Sequence, residues 1–512
     1  MRLAKILIVM LLGLPGAAMG QPLPPPPEPE ERWDREPEGE RRLSLDECLR
    51  LALEFNYDIQ IEYFGPQIAR FTLDGSYGYY DPVFDVGATH SFSSSPGGFV
   101  PDTSLQQPSS ETTSENFQSG FAGRIPTGTG LSYDIGGNLS HRESDFAAGS
   151  SEEYSGTAGI SLRQPLLRDG WIDAGRRQIK VNEASLRISE EAFRQLVINT
   201  ITRVENAYYN LIFARENVVV QEQALGLARR LLEENKKRVE VGAMAPLDEK
   251  QAESQVAQRE ADLLAARNSL STQENLLKNL ISDNYVEWHD TEIVPAEQLE
   301  AIPVSLNLQE SWRTAMERRP DLQQLRFDLE RHNVTLRYQR NQLFPALDLV
   351  GTFGYNALNT SYGRTIEDLA AGEDERYSIG AILTIPLGNR QARNQYKTAK
   401  ATLQQALLNL KRLEQSVVVE VDDAVGDART AFERVDATRK AREYAEAALD
   451  AEQKKLESGK STSFFVLEFQ NQLTAARSAE IRALADYSIA LSQLALVEGT
   501  TLEKNQIDLT LE

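Results

Sequence analysis

Cysteine occurs once in 512 residues, at Cys48, which excludes an intrachain disulfide. A lone cysteine of this kind reads as a small buried apolar side chain rather than a reactive thiol. Histidine is almost as scarce: His90, His141, His289 and His332 lie in separate segments without metal-ligand spacing. Neither G-x-S-x-G, a Walker loop nor H-E-x-x-H occurs, and the many carboxylates stand beside Lys and Arg as on solvated helix faces. Catalysis, a metal and a cofactor therefore find no support. Basic charge is also in deficit, with 54 Lys and Arg against 76 Asp and Glu, which argues against nucleic acid as a partner. The acidic excess reads as a solvated helical surface or as a cation-favouring lumen.

Long apolar runs are missing too. Residues 1–20 read as a secretory signal, with Arg2 and Lys5 before the core "ILIVMLLGL" and small residues near Gly20. As a membrane anchor that core is too short to span. No cysteine stands directly after the cleavage site, so N-terminal acylation is not expected. Beyond Gly20 no stretch of 18 apolar residues appears, so the secreted chain either stays soluble or crosses a membrane as strands.

What the sequence does contain is itself, twice. Residues 21–42 hold seven prolines and form an extended linker. "LSLDECLRLALEFNYDIQ" (Leu43–Gln60) then recurs as "LNLQESWRTAMERRPDLQ" (Leu306–Gln323), pairing Ala52 with Ala315 and Asp58 with Asp321. The strand-like "YDPVFDVGATHSF" and "FPALDLVGTFGY" pair Pro82 with Pro345 and Thr89 with Thr352. Further on, Lys180 pairs with Lys397, Val204 with Val421 and Gly242 with Gly459. The duplication defines repeats at 43–303 and 304–499, followed by a tail at 500–512.

From Arg176 to Val241 and from Gln391 to Ser458 there is no proline. Each stretch predicts a helix roughly 100 Å long at about 1.5 Å per residue. Apolar residues recur at spacings of three and four: Val197, Ile201, Val204, Tyr208 and Leu211, then Val418, Val421, Val425, Ala428, Phe432 and Val435. That is coiled-coil packing. Both helices turn back at a glycine, in "VEVGAMAPLD" and "LESGKSTSFF". The return helices, 247–281 and 464–497, and the early helices, Leu43–Leu73 and Leu306–Gln342, are half as long. Two short helices stacked end to end would thus match one long helix.

The strand regions, about 83–167 and 345–388, show membrane-type alternation: Phe84, Val86, Ala88, His90 and Phe92 against Asp85, Gly87, Thr89 and Ser91. One chain has too few strands to close a barrel, so each contributes part of a shared one. Asn116–Ser140 alternates likewise around "PTGTG" and predicts an additional hairpin whose short turn lies on the periplasmic side. It would enlarge the barrel or stand above it. Ser93–Glu115 and His141–Glu153 would be outer loops.

In the order and duplication of these motifs, with "QPLL" (Gln164–Leu167) and "IPLGNRQARNQYKTAKATL" (Ile385–Leu403), the chain resembles the TolC family of outer-membrane efflux proteins. The resemblance covers Leu43 to Gly499. It implies a mostly α fold with membrane β structure: long coiled-coil helices forming a periplasmic α-barrel, joined to hairpins of a trimeric outer-membrane β-barrel. It implies a passive exit duct for small molecules or proteins, in tripartite efflux or type I secretion. Its partners would be a periplasmic adaptor, an inner-membrane pump and outer-membrane lipid.

The resemblance also places a gate near the glycine turns, where relatives carry acidic residues at the opening. Asp248 stands at one family aspartate position. Phe465 stands at the next, where the family's aspartate is missing, and Glu468 at the one after. Phe465, Glu468 and Gln472 share a helix face. Leu456 and Ser461 replace a tyrosine and an arginine that tie the closed state in some relatives. Gly242, Ala243, Gly459 and Ser461 are the adaptor-docking candidates. Against the gate stands an ordinary reading, with Phe465 as coiled-coil core, Glu468 as a solvated residue and the glycines as helix caps. Two other functions remain open: a passive porin or surface receptor, and a periplasmic coiled-coil scaffold.

Overall fold

The computed structural model describes residues 39–99, 106–107, 109–126, 128–146 and 149–509. The signal segment and nearly all of the linker lie outside them. Each repeat begins with two helices rather than one. Helices α1 (Leu45–Phe55) and α2 (Tyr57–Ser76) break at Asn56, whose side chain accepts from the N–H groups of Asp58 and Ile59. An asparagine that caps the next helix ends the previous one. In the second repeat α5 (Leu308–Arg318) and α6 (Pro320–Asn341) break where Pro320 opens α6. Proline suits a first helical turn but lacks the N–H to continue an earlier helix.

The long helices are α3 (Ala174–Glu240) and α8 (Arg390–Glu457), and their return helices are α4 (Pro246–Ile281) and α9 (Ser463–Glu498). Helix α3 is flanked by α2 and α4 on one side and by α6 and α9 on the other, and α8 packs on α6 and α9. The chain is therefore four helical columns side by side: α2 over α4, then α3, then α6 over α9, then α8. The stacked halves are joined at equivalent places. The Asn56 amide donates to the Leu280 carbonyl at 3.0 Å, and the Arg319 guanidinium donates to the Val497 carbonyl at 3.4 Å.

The stripe on α3 is buried as its spacing requires, with Val197, Ile201, Val204, Tyr208 and Leu211 in the core. Each such side chain contributes about 1.5–3 kcal/mol of burial. On α8 the core residue is Val417 rather than Val418. Val418 is half-buried, and its carbonyl accepts from the Trp312 indole at 3.3 Å. Arg41–Leu43 pairs in parallel with Ile293–Pro295, and Tyr208 donates to the Leu43 carbonyl at 3.0 Å, which ties this small sheet to α3. The tail 500–509 is packed as well, and Lys504 meets the fully buried Glu205 carboxylate at 3.0 Å.

At the other end stands one six-stranded antiparallel sheet, in chain order: β1 (Val83–Ser95), β2 (Ser110–Arg124), β3 (Ser132–Phe146), β4 (Gly149–Pro165), β5 (Ala346–Asn359) and β6 (Asp374–Thr384). The extra hairpin is thus β2 and β3, inside the sheet. The predicted outer loops are shorter than expected, because pairing continues to Ser95↔Ser110 and to Phe146↔Gly149. Helix α7 (Tyr362–Ala371) joins β5 to β6. The β2–β3 turn lies at the helical end, where the Gln164 amide donates to the Thr129 carbonyl at 2.6 Å and Arg176 donates to the Gly128 carbonyl.

The register aligns Phe84, Phe121, Ile135, Ile160, Phe353 and Tyr377 across one face. One residue along, the opposite face reads Asp85, Gly120, Gly136, Gly159, Gly354 and Arg376. At Gly159 an added Cβ would lie 2.6 Å from the Phe353 carbonyl oxygen, and at Gly354 2.5 Å from that of Ala158. The strands approach one another too closely there for any side chain.

Candidate gate and docking tip

The end remote from the sheet is formed by two helical hairpins. Helix α3 ends in a left-handed Gly242 (φ +74°), with Ala243 N–H donating to Arg238 at 2.8 Å and Gly242 N–H to Val239 at 2.9 Å. Helix α8 repeats this at Gly459 (φ +70°), with Lys460 N–H donating to Lys455 at 2.9 Å and Gly459 N–H to Leu456 at 3.1 Å. Both are paired 6→1 and 5→2 closures that need positive φ at one residue. Open space surrounds both glycines, so conformation rather than room selects them.

Asp248 is half-buried, and its carboxylate accepts from the Ala245 N–H at 3.3 Å and from the Ser463 hydroxyl at 3.5 Å. It therefore caps the first turn of α4 and touches the second hairpin. In the same region the core is built by Val466, Leu467 and Leu473 of α9 against Leu231, Leu449 and Leu456. Phe465 lies outside it, 50% exposed, with Phe464 edge-on to its ring. Glu468 and Gln472 are exposed on the same side, and the Gln472 amide donates to Glu468 at 3.0 Å. Phe465 is thus not core within its own chain, and Leu456, the residue in the tyrosine position, is.

Ser461 is engaged by its own hairpin. Its hydroxyl donates to the buried Glu452, whose other oxygen meets Lys455 at 2.9 Å. The Ser461 hydrogen bond, then the Lys455 ammonium, hold the Glu452 carboxyl below the usual range. Spacing gave no sign of this closure.

Sequence reasoning also missed the links between hairpins. Asn471 on α9 accepts from Gln255 on α4 at 2.7 Å and from Arg259, which also meets Asp262 at 3.2 Å. Arg477 on α9 donates to Gln223 on α3 at 2.9 Å and to Glu446 on α8 at 3.0 Å. The only available signal was polar side chains on otherwise coiled-coil helices. Among the described residues, no cluster of His, Cys, Asp or Glu could hold a metal ion.

A wall of roughly 100 Å helices continuing into a strand-alternating membrane sheet defines an outer-membrane channel with a periplasmic helical domain. The sequence profile "Outer membrane efflux protein" matches residues 128–282 and 312–500. The outer membrane protein TolC of Vibrio cholerae is 26% identical over 363 residues, covering 69% of this chain and 78% of the relative. The outer membrane efflux protein BepC of Brucella suis is 23% identical over 346 residues, covering 68% and 72%. The solved outer-membrane channel OprN superposes with a TM-score of 0.64 at 17% identity, covering 89% of this chain and 90% of that one. The CmeC channel of Campylobacter jejuni gives 0.63 at 16% identity, covering 91% and 90%. The chain belongs to the TolC-type family of outer membrane efflux proteins, and its place is the outer membrane.

Proposed function

We propose that three copies close into one channel-tunnel, a passive exit duct for small molecules or proteins in a tripartite efflux or type I secretion assembly. An inner-membrane pump supplies cargo and energy, and a periplasmic adaptor docks at the hairpin tips around Gly242, Ala243, Gly459 and Ser461. Phe465, Glu468 and Gln472 line the resting closure, and Asp248 ties its two hairpins.

One observation carries the assembly. On α2, Ile61, Phe64, Ile68 and Phe71 are 57–68% exposed at spacings of three and four. That is a coiled-coil seam without a partner among the described residues of its own chain. The outer flank of α8, the fourth column, exposes Leu408 and Val419. A ring of copies brings the two flanks together and leaves no column open. Native mass spectrometry in detergent should show three copies, and Phe64→Glu with Phe71→Glu should abolish them. A stable monomer with pore activity would sink the assembly. Cross-linking in intact cells, then identification of what co-purifies, tests the adaptor and pump. Recovery without either leaves a porin.

A further inference from the structure

We propose that the membrane wall of this channel has eighteen strands, six from each of three copies, closed by pairing β1 of one copy with β6 of the next. The copy number rests on the assembly proposed above; the six strands and their open edges do not.

The added hairpin is part of the wall. Strand β2 pairs with β1 from Val83↔Ala122 to Ser95↔Ser110, and β3 pairs with β4 from Ser132↔Arg163 to Phe146↔Gly149. Bonded on both sides, β2 and β3 cannot stand above the barrel without losing both ladders. They also keep the alternation of their neighbours. Phe117, Phe121, Ile135 and Leu139 continue the apolar face, and Gln118, Gly120, Gly136 and Asn138 continue the small polar one. The latter side chains are too short to fill the extra width.

Among the described residues, each of the two outer strands is paired on one edge only. Every residue of β6 is exposed, including Tyr377 at 75% and Ile379 at 82%, and all but Gly87 of β1. Unpaired N–H and C=O groups in hydrocarbon cost several kcal/mol each, so these edges must be covered. Strand β1 leaves the helical end and β6, the sixth, returns to it. A second copy therefore meets the first as an antiparallel pair, like every other pair in the sheet.

The dimensions agree. Eighteen strands about 4.8 Å apart, tilted about 40°, enclose a backbone cylinder roughly 36 Å across, against roughly 24 Å for twelve. Four helical columns per copy, at about 9 Å spacing, form a ring roughly 35 Å across. Eighteen strands continue that ring without a step. The exit is then as wide as the tunnel, and the hairpin tips alone limit cargo size.

The test uses the full chain in its membrane with Cys48→Ala. Ile379→Cys is combined in turn with Phe84→Cys, Val86→Cys, Ala88→Cys, His90→Cys or Phe92→Cys. Oxidation should give disulfide-linked ladders up to three copies at one or two adjacent members of this same-face set. Asp85→Cys and Gly87→Cys should stay silent. Cryo-electron microscopy in nanodiscs should count eighteen strands. Three copies by native mass spectrometry with twelve strands, or with no seam disulfide at any position, overturn the wide barrel and leave the trimer standing. Any other copy number overturns the assembly itself.

Discussion

Replacing Asn471 by alanine removes the acceptor shared by Gln255 and Arg259, and with it a two-donor link between α4 and α9 above the Asp248–Ser463 contact. A hydrogen bond to a charged group contributes about 1.5–3 kcal/mol and a neutral one about 0.5–1.5 kcal/mol. The loss falls short of their sum, because Arg259 is mostly buried yet keeps Asp262 at 3.2 Å and is not left as an orphan charge. About 1–3 kcal/mol per chain is a fair range, or roughly five- to 150-fold in the equilibrium between closed and open hairpins. Single-channel recording in planar bilayers should show open probability rising by at least the lower factor. Asn471→Asp should act in the opposite direction, since a carboxylate accepts more strongly from guanidinium. The trimer's melting temperature should move little in both variants, as the Leu231, Leu449 and Leu467 core is untouched. If both variants leave open probability unchanged, the link does not hold the gate. If both raise it, the sign of the argument is wrong.

Phe465→Ala should raise single-channel conductance, while Glu468→Gln should mainly lower cation selectivity; a less stable trimer with unchanged conductance would return Phe465 to a packing role between copies. Cys48 should resist thiol reagents in the folded protein at neutral pH, because burial pushes its pKa up to about 12 and a thiol reacts as the thiolate. Its labelling should appear only on unfolding in denaturant, and rapid native labelling would contradict the packing of α1. With Cys48→Ala, a cysteine at Thr129 should be shielded from impermeant reagents on intact cells and one at Ser95 should label, since the β2–β3 turn lies at the helical end. Equal labelling would invert the hairpin.

Residue period and punctuation made the architecture readable. The stripe from Val197 to Leu211 is a long-range packing statement written in local spacing, and Gly242 and Gly459 mark turns that only positive φ can close. The breaks at Asn56 and Arg319 were not read, although a capping asparagine and a first-turn proline were both present. Periodic apolar residues on either side masked them. The ends of the strands were misjudged for a related reason. Ser, Thr and Glu beyond Ser93 look like loop, yet cross-strand pairs such as Thr112 with Ser144 sustain the ladder without apolar help. At the tip, spacing gave the shared face of Phe465, Glu468 and Gln472, but not the bonds of Asn471 or Ser461. The first depends on how two hairpins lean together and the second on how one hairpin closes, and no single helix encodes either.

The glycines at Gly120, Gly136, Gly159 and Gly354 stand in register on four adjacent strands, on the face opposite the aromatic row. On that face the line carries no side chain between Asp85 on β1 and Arg376 on β6, and the strands stay in register on either side of it. Those four strands therefore lie closest together along this row, which the strand tilt carries obliquely across the wall, so that backbone contact rather than side-chain packing sets their separation there. Gly159→Ala would place a methyl 2.6 Å from the Phe353 carbonyl oxygen and push β4 and β5 apart, so the change should appear as weaker pairing of those two strands, read as a lower melting temperature of the folded protein.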